Sequence, residues 1–106
     1  MPSTKEFLNF ILEQLSKLSE ITYRPMMGEF LIYYKGRLAG GIYDDRLLIK
    51  NVPSANNFMH NAELVLPYDG AKQMILVDNV DDKEFLAELF NAIYDELPVP
   101  KQKRNR

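Results

Sequence analysis

Glu29-Phe-Leu-Ile-Tyr-Tyr-Lys35-Gly36-Arg37-Leu-Ala-Gly-Gly-Ile-Tyr43-Asp44-Asp45-Arg46-Leu-Leu-Ile-Lys50 decides the fold. Three β-rich runs, 29–35, 37–43 and 46–50, are separated by Lys35-Gly36 and by Asp44-Asp45. Glycine supplies the positive φ that two-residue hairpin turns require, and Asp tolerates the same backbone. Two-residue connections join antiparallel neighbours, so the stretch reads as a three-stranded meander. Its first strand is apolar on both faces. Gly40-Gly41 inside the second predicts a bulge or a close approach of another group.

Upstream, Ile21-Thr-Tyr23 is β-rich, and Pro25 denies a central-strand hydrogen bond at its position. Gly28, after Met26-Met27, marks a sharp turn or bulge. Before that, Phe7, Phe10, Ile11, Leu15 and Leu18 recur at helical spacing, with Leu8 and Leu12 widening the stripe. Ser3 and Glu6 have capping-box spacing at its start.

Downstream, Pro53 suits the first position of a short helix reaching His60. Residues 63–70 read as loop and Gln73–Asp78 as a last strand. The closing helix has Asp81 as N-cap, Glu84 three residues on, and Val80 and Phe85 at staple positions. Phe85, Leu86, Leu89, Phe90, Ile93 and Leu97 form its buried stripe, and Pro98 and Pro100 stop it. The order predicts an α+β fold: an antiparallel β-sheet meander packed by N- and C-terminal helices.

The chain has 106 residues, of which 46% are hydrophobic and 26% charged, the balance of a folded globule and not of a disordered chain. With no cysteine, disulfides, thiolate metal sites and cysteine nucleophiles are excluded. Apolar runs fall far short of the roughly 20 residues of a membrane span, and no leader pattern is seen, so a soluble, cytoplasmic protein without membrane contact is expected. Thirteen basic and 15 acidic residues give −2, but Lys101, Lys103, Arg104 and Arg106 crowd into the last six positions. Without those four, 9 basic and 15 acidic residues remain, a body of −6. Residues 1–98 therefore read as one domain and 99–106 as a basic tail. A body so acidic suits nucleic acid poorly, and any such contact falls to Lys101, Lys103, Arg104 and Arg106.

No catalytic constellation emerges, and no catalytic, cofactor-binding or metal-binding residue is assigned. His60 has no co-ligand at a recognisable spacing. Asp78-Asn-Val-Asp-Asp82 lacks the glycine and ligand count of a calcium loop, and its carboxylates suit a helix N-terminus. Asp44-Asp45 reads as a turn. The glycines match no phosphate-binding loop. Arg24, Asp44, Asp45 and Lys72 are the charged groups to look for around any pocket. Tyr23, Arg24, Met26, Met27 and Tyr43 around the irregular turn form the candidate interaction surface, since Tyr, Met and Arg are enriched where proteins bind one another. The expected partner is another protein or a second copy in a homodimer.

Arg24-Pro-Met-Met-Gly28, Phe30-Leu-Ile-Tyr-Tyr-Lys-Gly36, Gly41-Ile-Tyr-Asp-Asp45 and Leu47-Leu-Ile-Lys50 together resemble the N-terminal domain of the TfoX/Sxy family. Met27 stands where Phe is common there, and Glu29 where a second Gly is common. The resemblance implies a secretion-chaperone-like α+β fold with a curved sheet and no catalytic residues. Family regulators act in natural competence with a cyclic-AMP-dependent transcription activator and carry a C-terminal helical domain. This chain reads as a stand-alone N-terminal-like domain, implying a non-enzymatic interaction module with a regulatory role. A weak nucleic-acid-associated protein acting through its basic tail is the alternative.

Overall fold

A computed structural model of the chain describes residues 3–60 and 62–99. Helix α1 (Lys5–Gln14) precedes strands β1 (Ile21–Met26), β2 (Glu29–Tyr34), β3 (Arg37–Ile42) and β4 (Leu47–Ile49). A short helix α2 (Pro53–Phe58), strands β5 (Leu64–Val65) and β6 (Met74–Val77), helix α3 (Lys83–Ile93) and a final 3₁₀ turn (Tyr94–Glu96) complete it. All neighbouring strands are antiparallel, in the order β1-β2-β3-β4-β6-β5. The fold is α+β, as the sequence predicts.

Three two-residue turns build the meander. Met27-Gly28, Lys35-Gly36 and Asp44-Asp45 all have positive φ at both positions, as a type I′ hairpin turn demands. Gly28 thus closes a third hairpin, and the predicted three-stranded meander has four strands. Outside glycine this backbone is strained, and at Asp44-Asp45 a polar network holds it. The Ser3 hydroxyl donates to Glu29 Oε1 (2.6 Å) and accepts from Asp45 N (3.0 Å). Glu29 Oε1 also accepts from Asp44 N at 3.1 Å, and Thr4 N donates to Asp45 Oδ1 at 2.8 Å. The start of α1 is therefore fastened to a hairpin some forty residues away.

This network displaces the expected cap. Ser3 is engaged by Glu29 and Asp45, and Thr4 is the N-cap of α1, its hydroxyl accepting from Phe7 N at 3.1 Å. The cap of α3 shifts likewise: Asp82, not Asp81, accepts from Phe85 N at 3.0 Å. Val80 and Phe85 consequently leave the staple positions and pack at the margin of the core. Pro53 opens α2 as expected, and that first turn is tied down by Glu96, which accepts from Ser54 N and Ser54 Oγ.

Bulge and close approach both occur at the glycine pair. Ile32 faces Gly40 while Tyr33 faces Leu38, so Ala39 is the extra residue on β3. A Cβ on Gly40 would run into the Leu48 carbonyl oxygen and come within 2.7 Å of Ile49 Cα. Residues 63–70, expected as loop, contain β5, whose two residues pair with Ile75 and Met74.

One face of the sheet carries the main core. Ile32, Tyr34, Ile42, Leu47, Ile49, Ile75 and Val77 pack there against Leu8, Ile11 and Leu15 of the N-terminal segment and Leu86, Leu89, Phe90 and Ile93 of α3. Burying each large aliphatic or aromatic side chain contributes about 1.5–3 kcal/mol. The stripe of α1 centres on Leu8, Ile11 and Leu15 and leaves Phe10 40% exposed. Two polar contacts register α3 on the sheet. Tyr34 Oη donates to Asn91 Oδ1 at 2.6 Å, and Arg37 donates to the Tyr94 carbonyl at 3.0 Å while stacking over the Tyr94 ring.

Candidate functional site

Side chains alternate across a strand, so the residues between the core-facing ones emerge on the other side of the sheet. Arg24 and Met26 of β1 pair with Leu31 and Glu29 of β2, and Leu38 of β3 pairs with Tyr33. On β4 and β6, Leu48 faces Leu76. No described helix packs on this side. Leu48 and Tyr43 are nevertheless fully or almost fully buried, although neither belongs to the main core. The segment between β5 and β6 helps to cover them, with the Tyr43 and Tyr68 rings 6.3 Å apart.

Beside this partial cover lies a groove of about 670 Å³, within the range of small ligand and peptide-anchor cavities. Met26, Leu31 and Leu38 give it an apolar floor, Tyr68 and Met74 a wall. Strand register orients it. Met26 and Tyr43 lie near the β1–β2 and β3–β4 turns, whereas Lys50 follows β4 and Met74 opens β6 at the opposite corner. The groove thus runs diagonally from β1 to β6, strands four inter-strand steps or about 19 Å apart.

Its polar groups are few. Lys50 and Lys72 are the charged residues of the lining, and neither forms an ion pair with a described carboxylate; the bridge seen among described residues joins Lys83 to Glu13. Continuing the β4–β6 register outward brings Lys72 to the same corner as Lys50. Tyr43 is 5% exposed, lines the groove, and its hydroxyl has no hydrogen-bond partner among the described residues. Burial, then the neighbouring Tyr68, Glu29 and Tyr33, push its phenol above the ordinary tyrosine value. Tyr43 therefore presents an O–H at neutral pH.

The five residues of the expected interaction surface divide three ways. Met26 and Tyr43 meet in the groove, and Arg24 stands on the same face opposite Leu31. Met27 projects from the hairpin tip, 95% exposed. Tyr23 lies opposite Ile32 on the helix-covered face, edge-on to Phe30 at 6.0 Å. Lys101, Lys103, Arg104 and Arg106 lie outside the described residues. Of the charged residues singled out for a pocket, Lys72 lines the groove, while Asp44 and Asp45 form their turn.

Sequence reasoning missed Leu31, Leu38 and Lys50 as a site. For Leu31 the signal is the run Phe30–Tyr34, apolar on both faces, which asks for cover on both sides of a sheet that receives helices on one. His60 borders a smaller hollow of about 300 Å³ together with Glu63, Asp78 and Asn79. Among the described residues no three His, Cys, Asp or Glu side chains are placed to share a metal ion, and no helix is long and apolar enough to cross a membrane.

No family model matches the chain, and no solved structure matches it. It is similar to a protein of Spirochaeta aurantia described as an uncharacterized 12.7 kDa protein in the trpE 5′ region. The two are 26% identical over 105 residues, spanning 98% of this chain and 91% of that protein. The likeness runs along nearly the whole of both chains and assigns no residue a role.

Proposed function

We propose that this protein is a non-catalytic binding module that receives a segment of a partner protein on the helix-free face of its sheet. The observation that carries this reading is the diagonal groove itself. Apolar residues of β1, β2 and β3 form a half-buried floor, and burying the rest of it is the driving force a partner would use. A span of about 19 Å across the strands suits at least roughly six residues of extended chain better than a compact small molecule. Met26 and Tyr43 bring to it the residue types that carry interface energy.

The likeness of Arg24–Lys50 to the TfoX/Sxy N-terminal domain favours a regulatory setting, with the partner in the transcription or competence apparatus and the protein in the cytoplasm. The alternative, tail-based nucleic-acid association, draws on the four cations after Pro100. It predicts a gel shift that is lost on deleting residues 101–106 and falls steeply with salt.

The test is affinity capture with the full chain against a Leu38→Asp variant, with circular dichroism and thermal melting confirming that both are folded. The reading predicts a protein retained by the parent and released by the variant. Identical retention by both, or no specific retention by either, overturns it.

A further inference from the structure

We infer that the segment received by the groove is an acidic one: an apolar stretch with Asp or Glu side chains at the end that reaches Lys50 and Lys72. This rests on the reading of the groove as a partner-binding site and names the chemistry of its occupant.

Three observations converge. The charge of the lining opposes that of the molecule, since a body of −6 keeps two cations and no carboxylate in this groove. Neither lysine is matched by a described acidic group, so both ammonium groups are available to an incoming carboxylate. Their placement is lopsided. Lys50 and Lys72 sit at the β6 corner, while Met26 and Leu31 at the β1 end offer apolar contacts. An occupant is therefore oriented, with its apolar residues over β1–β3 and its carboxylates at the far end. Tyr43 adds a buried hydroxyl without a described partner, a donor toward a carbonyl or carboxylate oxygen of the same segment.

The same charges exclude one occupant close at hand. Lys101, Lys103, Arg104 and Arg106 of the chain's own tail carry the wrong sign for a groove whose charged residues are two lysines. A second copy entering through its basic end is excluded in the same way.

Two synthetic eight-residue probes separate charge from apolar docking. Both carry the same leucines and valines, followed by two glutamates in one and two lysines in the other. Binding is read by fluorescence anisotropy to the full chain, to Lys50→Glu/Lys72→Glu and to Leu38→Asp, with Met26→Ser as a second apolar variant. Melting curves confirm the fold of each. The acidic probe should bind the parent at least tenfold more tightly than the basic one and weaken as salt rises. The double lysine variant should reverse that order, and both apolar variants should weaken the acidic probe severalfold.

Equal affinity of the two probes for the parent, lost in Leu38→Asp but unmoved by the lysine changes, overturns the acidic assignment and leaves the groove as a docking site. Failure of both probes to bind, or binding insensitive to Leu38→Asp and Met26→Ser, overturns the groove reading as well. Concentration-dependent dimerisation abolished by Leu38→Asp, or displacement of the acidic probe by a Lys101–Arg106 peptide, assigns the groove to this chain and also overturns the proposal.

Discussion

The two faces of the sheet are made of the same kinds of residue and meet different fates. On one, Ile32, Ile42 and Ile49 lie under α1 and α3 and are sealed from water. On the other, Leu31 and Leu38 have the same chemistry and stay only half-buried, lining a groove. What separates them is which connections turn into helices. Both long helices pack on one side, and the second side receives the short segment before β6. Apolar character thus marks a residue as sheet-forming, and the topology then decides whether it holds the fold or is left available to a partner.

The sharpest way to break this comparison is to truncate one large side chain on each face. Phe90→Ala, in the sealed core, should cost about 3–5 kcal/mol and lower the urea midpoint accordingly. Leu38→Ala, over the groove, should cost under about 1.5 kcal/mol while weakening any groove ligand. Equal losses of stability would mean that the second face is as much a core as the first.

Gly40 sits where the bulge of β3 presses on β4. Because the added methyl meets backbone atoms of Leu48 and Ile49, it cannot be accommodated by a side-chain rotation. Gly40→Ala should cost about 1–3 kcal/mol, measured by chemical denaturation, and disturb the groove floor at the same time. Asp45→Ala removes the acceptor of Thr4 N and leaves a β-carbon at a φ of 54°. A loss of about 1–2 kcal/mol is expected, with hydrogen exchange rising first at the start of α1.

The smallest effect concerns pH. The Tyr43 phenol is raised in the folded state, so folding favours its protonated form. Its contribution is complete below about pH 10, where an unfolded tyrosine begins to ionise, and is lost as pH climbs through the higher folded value. The denaturation midpoint of the parent should fall above that pH. Tyr43→Phe should remove part of the fall, and spectrophotometric titration should show one late-ionising tyrosine in the parent that the variant lacks.

Two of the three hairpins were legible from sequence because their causes are local. Lys35-Gly36 and Asp44-Asp45 announce turns by residue type, and the strands beside them by β-rich composition. The capping residues were misplaced by one position at each long helix for different reasons. Ser3 has the right side chain for a cap but is claimed by Glu29 and Asp45, contacts that no local pattern contains. In the run Asp81-Asp82 both residues qualify, and it is the carboxylate of the second that meets Phe85 N. Strand β5 escaped because two residues carry no periodicity; pairing with β6 makes them a strand. The groove was half legible. Met26, Tyr43 and Lys72 were marked by type, whereas Lys50, and its place beside Lys72, acquire meaning when β4 and β6, more than twenty residues apart, come side by side.

Pro25 has one last consequence. In a type I′ hairpin the residues flanking the turn form a hydrogen-bonded pair, so along β1 the outward-directed backbone positions are Ile21, Tyr23 and Pro25. The third has no N–H to offer. The opposite border, β5, is two residues long. A growing fibril or a strand-swapped polymer needs an unbroken row of donors and acceptors along at least one border. This sheet ends in a gap on one side and a stub on the other, so both borders are blunted against strand addition, and its broad surface is the more open place for apolar contact.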